Sequence, residues 1–248
     1  MEQYGKDKKW PFAEGGESTL ALVTGVWAAA AAFRLLRNNP LTNILFWFMT
    51  PLWLLIVWFF RDPNREPLNE EGLVVSPGDG EVVEIIREPE KRYLNDDAIR
   101  ISIFLSIVDV HVQRVPLSGR VTLVDYHPGQ FLKAYLPEAS EVNEYIAMIT
   151  ESDYGRILTK QIAGILARRC VNNARVGDEL ATGQRFGLIK FSSRVDLFLP
   201  ANADLIVQVG DKVYGGLTPI ARLKKAGHRA VTGSTAHVAG PNGYVYTS

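Results

Sequence analysis

Hydrophobic and polar positions change texture once along the chain, near residue 66. From Leu41 to Phe60 no residue carries a charge and nearly all are apolar, Trp47, Trp53 and Trp58 among them. About twenty such residues reach across the hydrocarbon core of a bilayer as a helix. A shorter apolar run, 19–33, precedes them, and Arg34, Arg37, Asn38, Asn39 and Pro40 stand between. The pair reads either as two spans joined by a tight polar turn or as one hairpin that enters and leaves the same leaflet. A buried core helix is the competing reading, but three tryptophans with Arg61 and Arg65 just beyond favour anchoring at a membrane interface. The leader before the first run is mixed in charge and the second run is too long, which speaks against a cleaved signal peptide. Basic residues lie before, between and after the runs and set no orientation.

After Pro67 the pattern turns to short β-rich runs broken by Gly, Pro and Asp: 73–75, 81–86, 101–106, 119–126, 187–191, 195–199 and 205–209. Such spacing predicts an antiparallel β architecture. Residues 154–171 place Ile157, Ile162, Ile165, Leu166 and Val171 at roughly helical spacing with Lys160, Arg168 and Arg169 interleaved, which predicts one helix there. The expected fold is therefore mainly β (α+β): an antiparallel sandwich or barrel-like domain over 67–248 with a few helices, preceded by a membrane-anchoring helical segment over 1–66. A weak repeat is also visible. Val176-Gly177-Asp178-Glu179-Leu180 with Gly183 recurs as Val209-Gly210-Asp211-Lys212-Val213 with Gly216. Gly-Asp suits turns between strands, since glycine tolerates positive φ and Asp bonds the turn backbone. Paired turns fit a two-hairpin scaffold like that of lipoyl carriers, although neither copy offers a lysine in the Met-Lys or Asp-Lys-Ala setting that modification uses, and plain β-turns are an equal reading.

Composition narrows the chemistry. The 248 residues are enough for a sizeable core, and 27 basic residues balance 27 acidic ones, so no basic field marks a nucleic-acid binder. The single cysteine, Cys170, excludes an intramolecular disulfide, and four scattered histidines without HExxH or CxxC predict no metal site.

Three segments could carry chemistry: Val74-Val75-Ser76-Pro77-Gly78-Asp79-Gly80, Phe104-Leu105-Ser106-Ile107-Val108-Asp109-Val110-His111-Val112-Gln113-Arg114-Val115-Pro116, and Phe191-Ser192-Ser193-Arg194-Val195-Asp196-Leu197-Phe198-Leu199-Pro200. Singly they are weak: a Pro-Gly-Asp-Gly turn is most often only a turn, and a strand-end histidine most often structural. The serine pair is sharper, because a serine hydroxyl lies close to the carbonyl before it and can attack its own peptide bond. With the apolar segment ending Phe59-Phe60-Arg61-Asp62-Pro63, and in this order over roughly 41–223, the segments resemble the short-chain phosphatidylserine decarboxylases, membrane-attached enzymes with a self-made pyruvoyl cofactor.

The resemblance implies that Ser193 attacks the carbonyl of Ser192, that the chain is cut between them into a β subunit (1–192) and an α subunit (193–248), and that residue 193 becomes the covalent pyruvoyl group. Asp79 and His111 then match the family's acid and base, and His111 the proton donor in decarboxylation. Long-chain members read Gly-Ser at the cut and carry a second histidine three residues after the first. Here stand Ser192, whose Cβ crowds the distortion that attack needs, and Arg114, which is no base near neutral pH. Either His111 does double duty, or His127 helps, or Arg114 holds a phosphate or carboxylate of the substrate; a surface ion pair is an equal reading for Arg114. Gly129-Gln130-Phe131-Leu132-Lys133-Ala134, Asn143-Glu144 and Gln161-Ile162-Ala163-Gly164 match segments that flank the head-group pocket, although Asn143 and Glu144 read more simply as a solvated loop or helix start. Thr232-Gly233-Ser234-Thr235 reads as tail.

The expected function is decarboxylation of phosphatidylserine to phosphatidylethanolamine and CO2. The expected setting is a lipid bilayer, at the cytoplasmic face of a prokaryotic cell membrane, with a homodimer implied by the resemblance alone and no nucleic-acid partner. The alternatives are a membrane-tethered carrier or scaffold domain that is never cut, and a decarboxylase of the same family acting on another serine-headed molecule.

Overall fold

The computed structural model describes residues 11–68, 70–133, 139–165, 170–190 and 193–225. The chain divides into two compact units, one over residues 8–64 and one from Arg65 onward. The first is a helical hairpin of α1 (Glu17–Leu36) and α2 (Pro40–Phe59), each twenty residues and so about 30 Å long, enough to cross a bilayer core. Asn39 and Thr42 form a reciprocal capping box with Pro40 at the first turn, which is why α2 begins sharply there. The helices are joined by side chains: Trp27 stacks on Trp53 at 4.5 Å, and each indole N–H donates to a threonine of the other helix, Thr50 at 3.1 Å and Thr24 at 3.2 Å. No residue of α1 is buried, and Leu22, Phe33, Leu36, Trp47, Phe48 and Trp58 face outward, an exposed apolar surface of the kind that marks an interaction site.

Among the described residues the second unit holds fourteen strands: β1 (Leu73–Val75), β2 (Gly80–Glu90), β3 (Asp96–Leu105), β4 (Val112–Arg114), β5 (Gly119–His127), β6 (Tyr145–Ser152), β7 (Gly155–Ala163), β8 (Cys170–Asn172), β9 (Glu179–Leu180), β10 (Arg185–Ile189), β11 (Ser193–Pro200), β12 (Asp204–Leu205), β13 (Lys212–Val213) and β14 (Pro219–Arg222), with a one-turn α3 (Ala139–Val142). Eight of them form one curled antiparallel sheet in the order β13-β2-β3-β11-β7-β6-β5-β9, and two three-stranded sheets, β1-β14-β12 and β4-β10-β8, complete the domain. The fold is thus mainly antiparallel β behind an apolar helical segment, as the pattern predicts.

The helix expected over 154–171 is not formed. Residues 155–163 are the strand β7, between β6 and β11. A strand buried on both faces shows no clean alternation, so Ile157, Leu158 and Ile162 mimic helical spacing, while β-branched Ile157, Thr159 and Ile162 suit a pleated sheet. Ile165 is exposed, and 166–169 lie outside the described residues.

The repeat is structural. Gly177 and Gly210 take φ of +97° and +96°, and their N–H groups donate to Val121 and Val82 on β5 and β2. Asp178 and Asp211 return matching bonds, accepting from Val121 and Val82 through their carbonyls and from Arg175 and Gln208 through their side chains. Val75 N–H donates to Pro116 and Arg114 N–H to Pro77, and Gly183 and Gly216 bond Val115 and Ser76 in the same way. The two halves thus repeat the same hydrogen bonds, each lending a loop to the other.

Candidate functional site

Ser193 is the first residue of β11 and pairs with Leu105 of β3 on one side and Ala163 of β7 on the other. Strand alternation turns Ser193, Val195, Leu197 and Leu199 to the main apolar core and Arg194, Asp196 and Phe198 to the opposite face. Ser193 is fully buried, and its Oγ has no hydrogen-bond partner among the described residues. A buried hydroxyl left so costs free energy, which marks it as a group with something to do. Ser192 lies outside the described residues.

The loop after β1 reaches this strand end from one side. A Cβ on Gly78 would touch Leu105 and Val195 at 3.6 and 3.9 Å, so the loop lies against the strands that flank Ser193. Its Asp79 is buried and held from two directions: both Arg65 Nη atoms bond its two oxygens, the closer at 2.5 Å, and Gly215 N–H donates to Oδ1 at 2.8 Å. Gly80, at φ +157°, has Phe104 O where a Cβ would stand, so no side chain fits. The Asp79 carboxylate is therefore fixed, by a fork-on-fork ion pair the turn sequence did not reveal.

His111 enters just before β4, fully buried. Its Nδ1 lies 3.0 Å from Asp109 O, which places the proton on Nδ1 and the lone pair on Nε2. The Asp109 carbonyl thus helps to orient the ring, and the Asp79 oxygens bond Arg65 and Gly215. Ile189 N–H donates to His111 O at 3.2 Å, and Ser193 follows Ile189 by four residues. Asp79, His111 and Ser193 lie on three different strand connections: after β1, before β4 and after β10.

A chain of amides ties these parts together. Gln113 Nε2 donates to His111 O at 2.8 Å, and Gln161 Nε2 donates to Gln113 Oε1 at 3.0 Å and to Val171 O at 3.1 Å. Asn143, fully buried, bonds Leu132 through both ends of its amide and donates to Ala163 O, the residue opposite Ser193, at 2.7 Å. Glu144 is buried too, accepting from Cys170 N at 3.2 Å and Tyr126 Oη at 3.3 Å. The solvated loop expected for this pair is replaced by a clamp, because amides and carboxylates can satisfy several strand ends at once. Arg114 is no surface ion pair: it is 2% exposed, and its Nη1 donates to Gly183 O at 3.1 Å.

His127 is not brought to Ser193. It pairs with Tyr145, which pairs with Ile162, which pairs with Arg194, so it lies three strands away, about 14 Å, and on the opposite face. There its ring stacks on Tyr145 at 4.8 Å, and burial and then the Arg92 charge hold its pKa below the ordinary value. That face carries a buried ionic row: Arg194 Nε to Asp196 at 2.6 Å, Ser140 Oγ to Asp196 at 2.6 Å, Arg100 to Glu84 and Glu88 at 2.6 Å, and Lys160 Nζ to Ser140 O at 2.9 Å.

Sequence reasoning missed Arg65, Asp109, Gln113 and the clamping role of Gln161. Polar residues at alternate positions in otherwise apolar strands, as in His111-Val112-Gln113-Arg114 and Thr159-Lys160-Gln161, were the available signal.

Comparison with known proteins agrees with these segments. Residues 52–221 match the family model described as phosphatidylserine decarboxylase. A phosphatidylserine decarboxylase proenzyme of Symbiobacterium thermophilum is 47% identical over 216 residues, covering 86% of this chain and 93% of the relative. One of Magnetococcus marinus is 40% identical over 220 residues, covering 88% and 98%, and one of Nocardia farcinica is 51% identical over 169 residues, covering 66% and 71%.

Proposed function

Because the chain belongs to the phosphatidylserine decarboxylase family, we propose that it is a membrane-bound proenzyme that cuts itself between Ser192 and Ser193 and decarboxylates phosphatidylserine to phosphatidylethanolamine. The observation that carries this reading is the buried, unpartnered Ser193 Oγ at the head of a strand locked on both sides. It fits a residue that becomes a prosthetic group, since the site supplies a shielded place for it and no competing bond. Ser193 Oγ adds to the Ser192 carbonyl carbon, converting the amide to an ester. His111 takes the hydroxyl proton on Nε2, its ring fixed by the Asp109 carbonyl. Elimination releases Ser192 as a new C-terminus, and water then replaces the nitrogen left on residue 193, which departs as ammonia.

When present, the pyruvoyl carbonyl supplies the electron sink for the pair left behind as the carboxylate departs as CO2. The surrounding residues position and shield. Asp79, anchored by Arg65 and Gly215, keeps the 76–80 loop rigid against β3 and β11. Asn143 and Glu144 shape the head-group side by holding the ends of β7 and β8. Arg114 lies where its guanidinium supports the turn at Gly183 beside the same loops, and His127 stands on the other face of the sheet, away from residue 193. His111 returns the proton to the substrate carbon. The helical hairpin holds the domain at the bilayer, so the lipid need not be extracted.

Intact mass of the purified protein tests this. A fragment of 56 residues beginning at 193, lighter at its N-terminus than serine, is expected, and Ser193→Ala should leave a single chain with no decarboxylase activity. A wild-type chain that stays whole on long incubation would refute the reading and favour the scaffold alternative.

A further inference from the structure

We propose that Gln161 is the residue that receives the substrate's amino group, an inference that rests on the decarboxylase reading and gives one residue of the 161–164 segment a specific role. Gln161 lies on β7, opposite Val195 and diagonal to Ser193, on the same face of the sheet. It is fully buried, and its Oε1 has no hydrogen-bond partner among the described residues.

The orientation of this amide is fixed from both ends. Its Nε2 donates to Val171 O and to Gln113 Oε1, and Gln113 Nε2 donates to His111 O. Both ends of the chain are main-chain carbonyls, which only accept, so neither glutamine can be reversed without setting oxygen against oxygen. The carbonyl end of Gln161 is therefore the end left over. Gly187 makes the arrangement possible, since a Cβ there would stand 2.6 Å from Gln161 Nε2.

Ser193 Oγ does not use this acceptor in the uncut chain, for it too is unpartnered. The acceptor is thus reserved for something that arrives. Of the polar groups on a serine phospholipid, phosphate and carboxylate only accept hydrogen bonds and would be repelled, whereas the amine donates. An acceptor beside residue 193 holds that amine next to the atom it must reach. The same relay runs through Gln113 to the His111 carbonyl, so seating the amine and fixing the histidine use one rigid unit. Thr159 and Thr150 also carry unpartnered hydroxyls on this face, but they lie further along the strands and can donate as well as accept.

The test uses the full chain in detergent micelles, with intact mass read before and after borohydride treatment in the presence of lipid. Wild-type protein should cut itself, and its small subunit should gain the mass of phosphatidylserine or of phosphatidylethanolamine. Gln161→Met should still be cut but capture both lipids about tenfold to a hundredfold more slowly, the loss expected for one hydrogen bond to a charged group. Wild-type capture by Gln161→Met, or a loss confined to phosphatidylserine, would overturn the assignment, the latter giving Gln161 to the carboxylate. Gln161→Met also breaks the relay to His111, so Gln113→Met, which breaks the relay but keeps the Gln161 acceptor, is its control: wild-type capture is expected of it, and capture as slow as in Gln161→Met, or a failure of Gln161→Met alone to cut, overturns the proposal. Failure of wild-type protein to cut or to capture would instead refute the decarboxylase reading itself.

Discussion

Arg194 and Asp196 share a strand with Ser193 but face the other way, so the serine and the buried ionic row are separated by one step of the pleat. Asp196 is completely buried. Burial alone would raise its pKa, but the Arg194 charge and the bonds from Arg194 and Ser140 outweigh it and hold the carboxyl below its ordinary value. A depressed folded pKa contributes stability that is present above the unfolded carboxylate value and lost as pH falls through the folded one. Asp196→Asn should therefore cost about 3 kcal/mol at pH 7, since it leaves Arg194 buried without its partner. The same change should flatten the acid limb of the stability curve below about pH 4. Urea unfolding at pH 7 and pH 3 measures both, and a variant whose stability falls with acid as steeply as wild type would show that Asp196 is not the linked group. Residues of this kind were invisible in the sequence: Arg-Val-Asp reads as ordinary alternation, and nothing in it says that the polar side is buried too.

At the scale of elements, the sequence was most legible where one element carries its own signal. The Asn39-Pro40-Leu41-Thr42 start of α2 is local chemistry, and the Gly-Asp turns formed as expected. β7 was misread because its pattern depends on neighbours at 145–152 and 193–200 that bury both its faces. The Gly129 segment shows how closely connections are fitted. A Cβ there would lie 2.4 to 2.6 Å from the main-chain atoms of Asn143 and Glu144, with no flexible side chain to give way. Gly129→Ala should then cost about 1–3 kcal/mol through overpacking and slow maturation by loosening the Asn143 bond to Ala163. A thermal melt and a time course of cleavage measure these, and a variant that melts and matures like wild type would show that the clamp tolerates displacement.

The whole molecule combines a nearly symmetric scaffold with asymmetric chemistry. Pro77 to Gly80 and Pro116 to Gly119 occupy matching places in the two halves, but the first carries Asp79 with its Arg65 partner where the second carries Ser118. Arg65 belongs to the β unit, two residues ahead of the boundary that the change in texture suggests. A chain beginning at residue 63 should fold and stay off phospholipid vesicles in a flotation assay, while the full chain floats with them. One beginning at residue 68 should be less stable by about 3 kcal/mol, because Asp79 is then buried without its counter-charge. Flotation of the chain from residue 63 would place membrane binding outside the helices. The sequence by itself determined the apolar hairpin, the antiparallel class, the turns and the motif positions, because each rests on interactions between residues close in the chain. Only the tertiary structure decided that Arg65 holds Asp79, that the Asp109 carbonyl orients His111, that His127 lies on the far face, and that Gln161 keeps an acceptor beside Ser193. Those outcomes depend on strand register and on burial, which are set by packing between segments distant in sequence and leave no local trace.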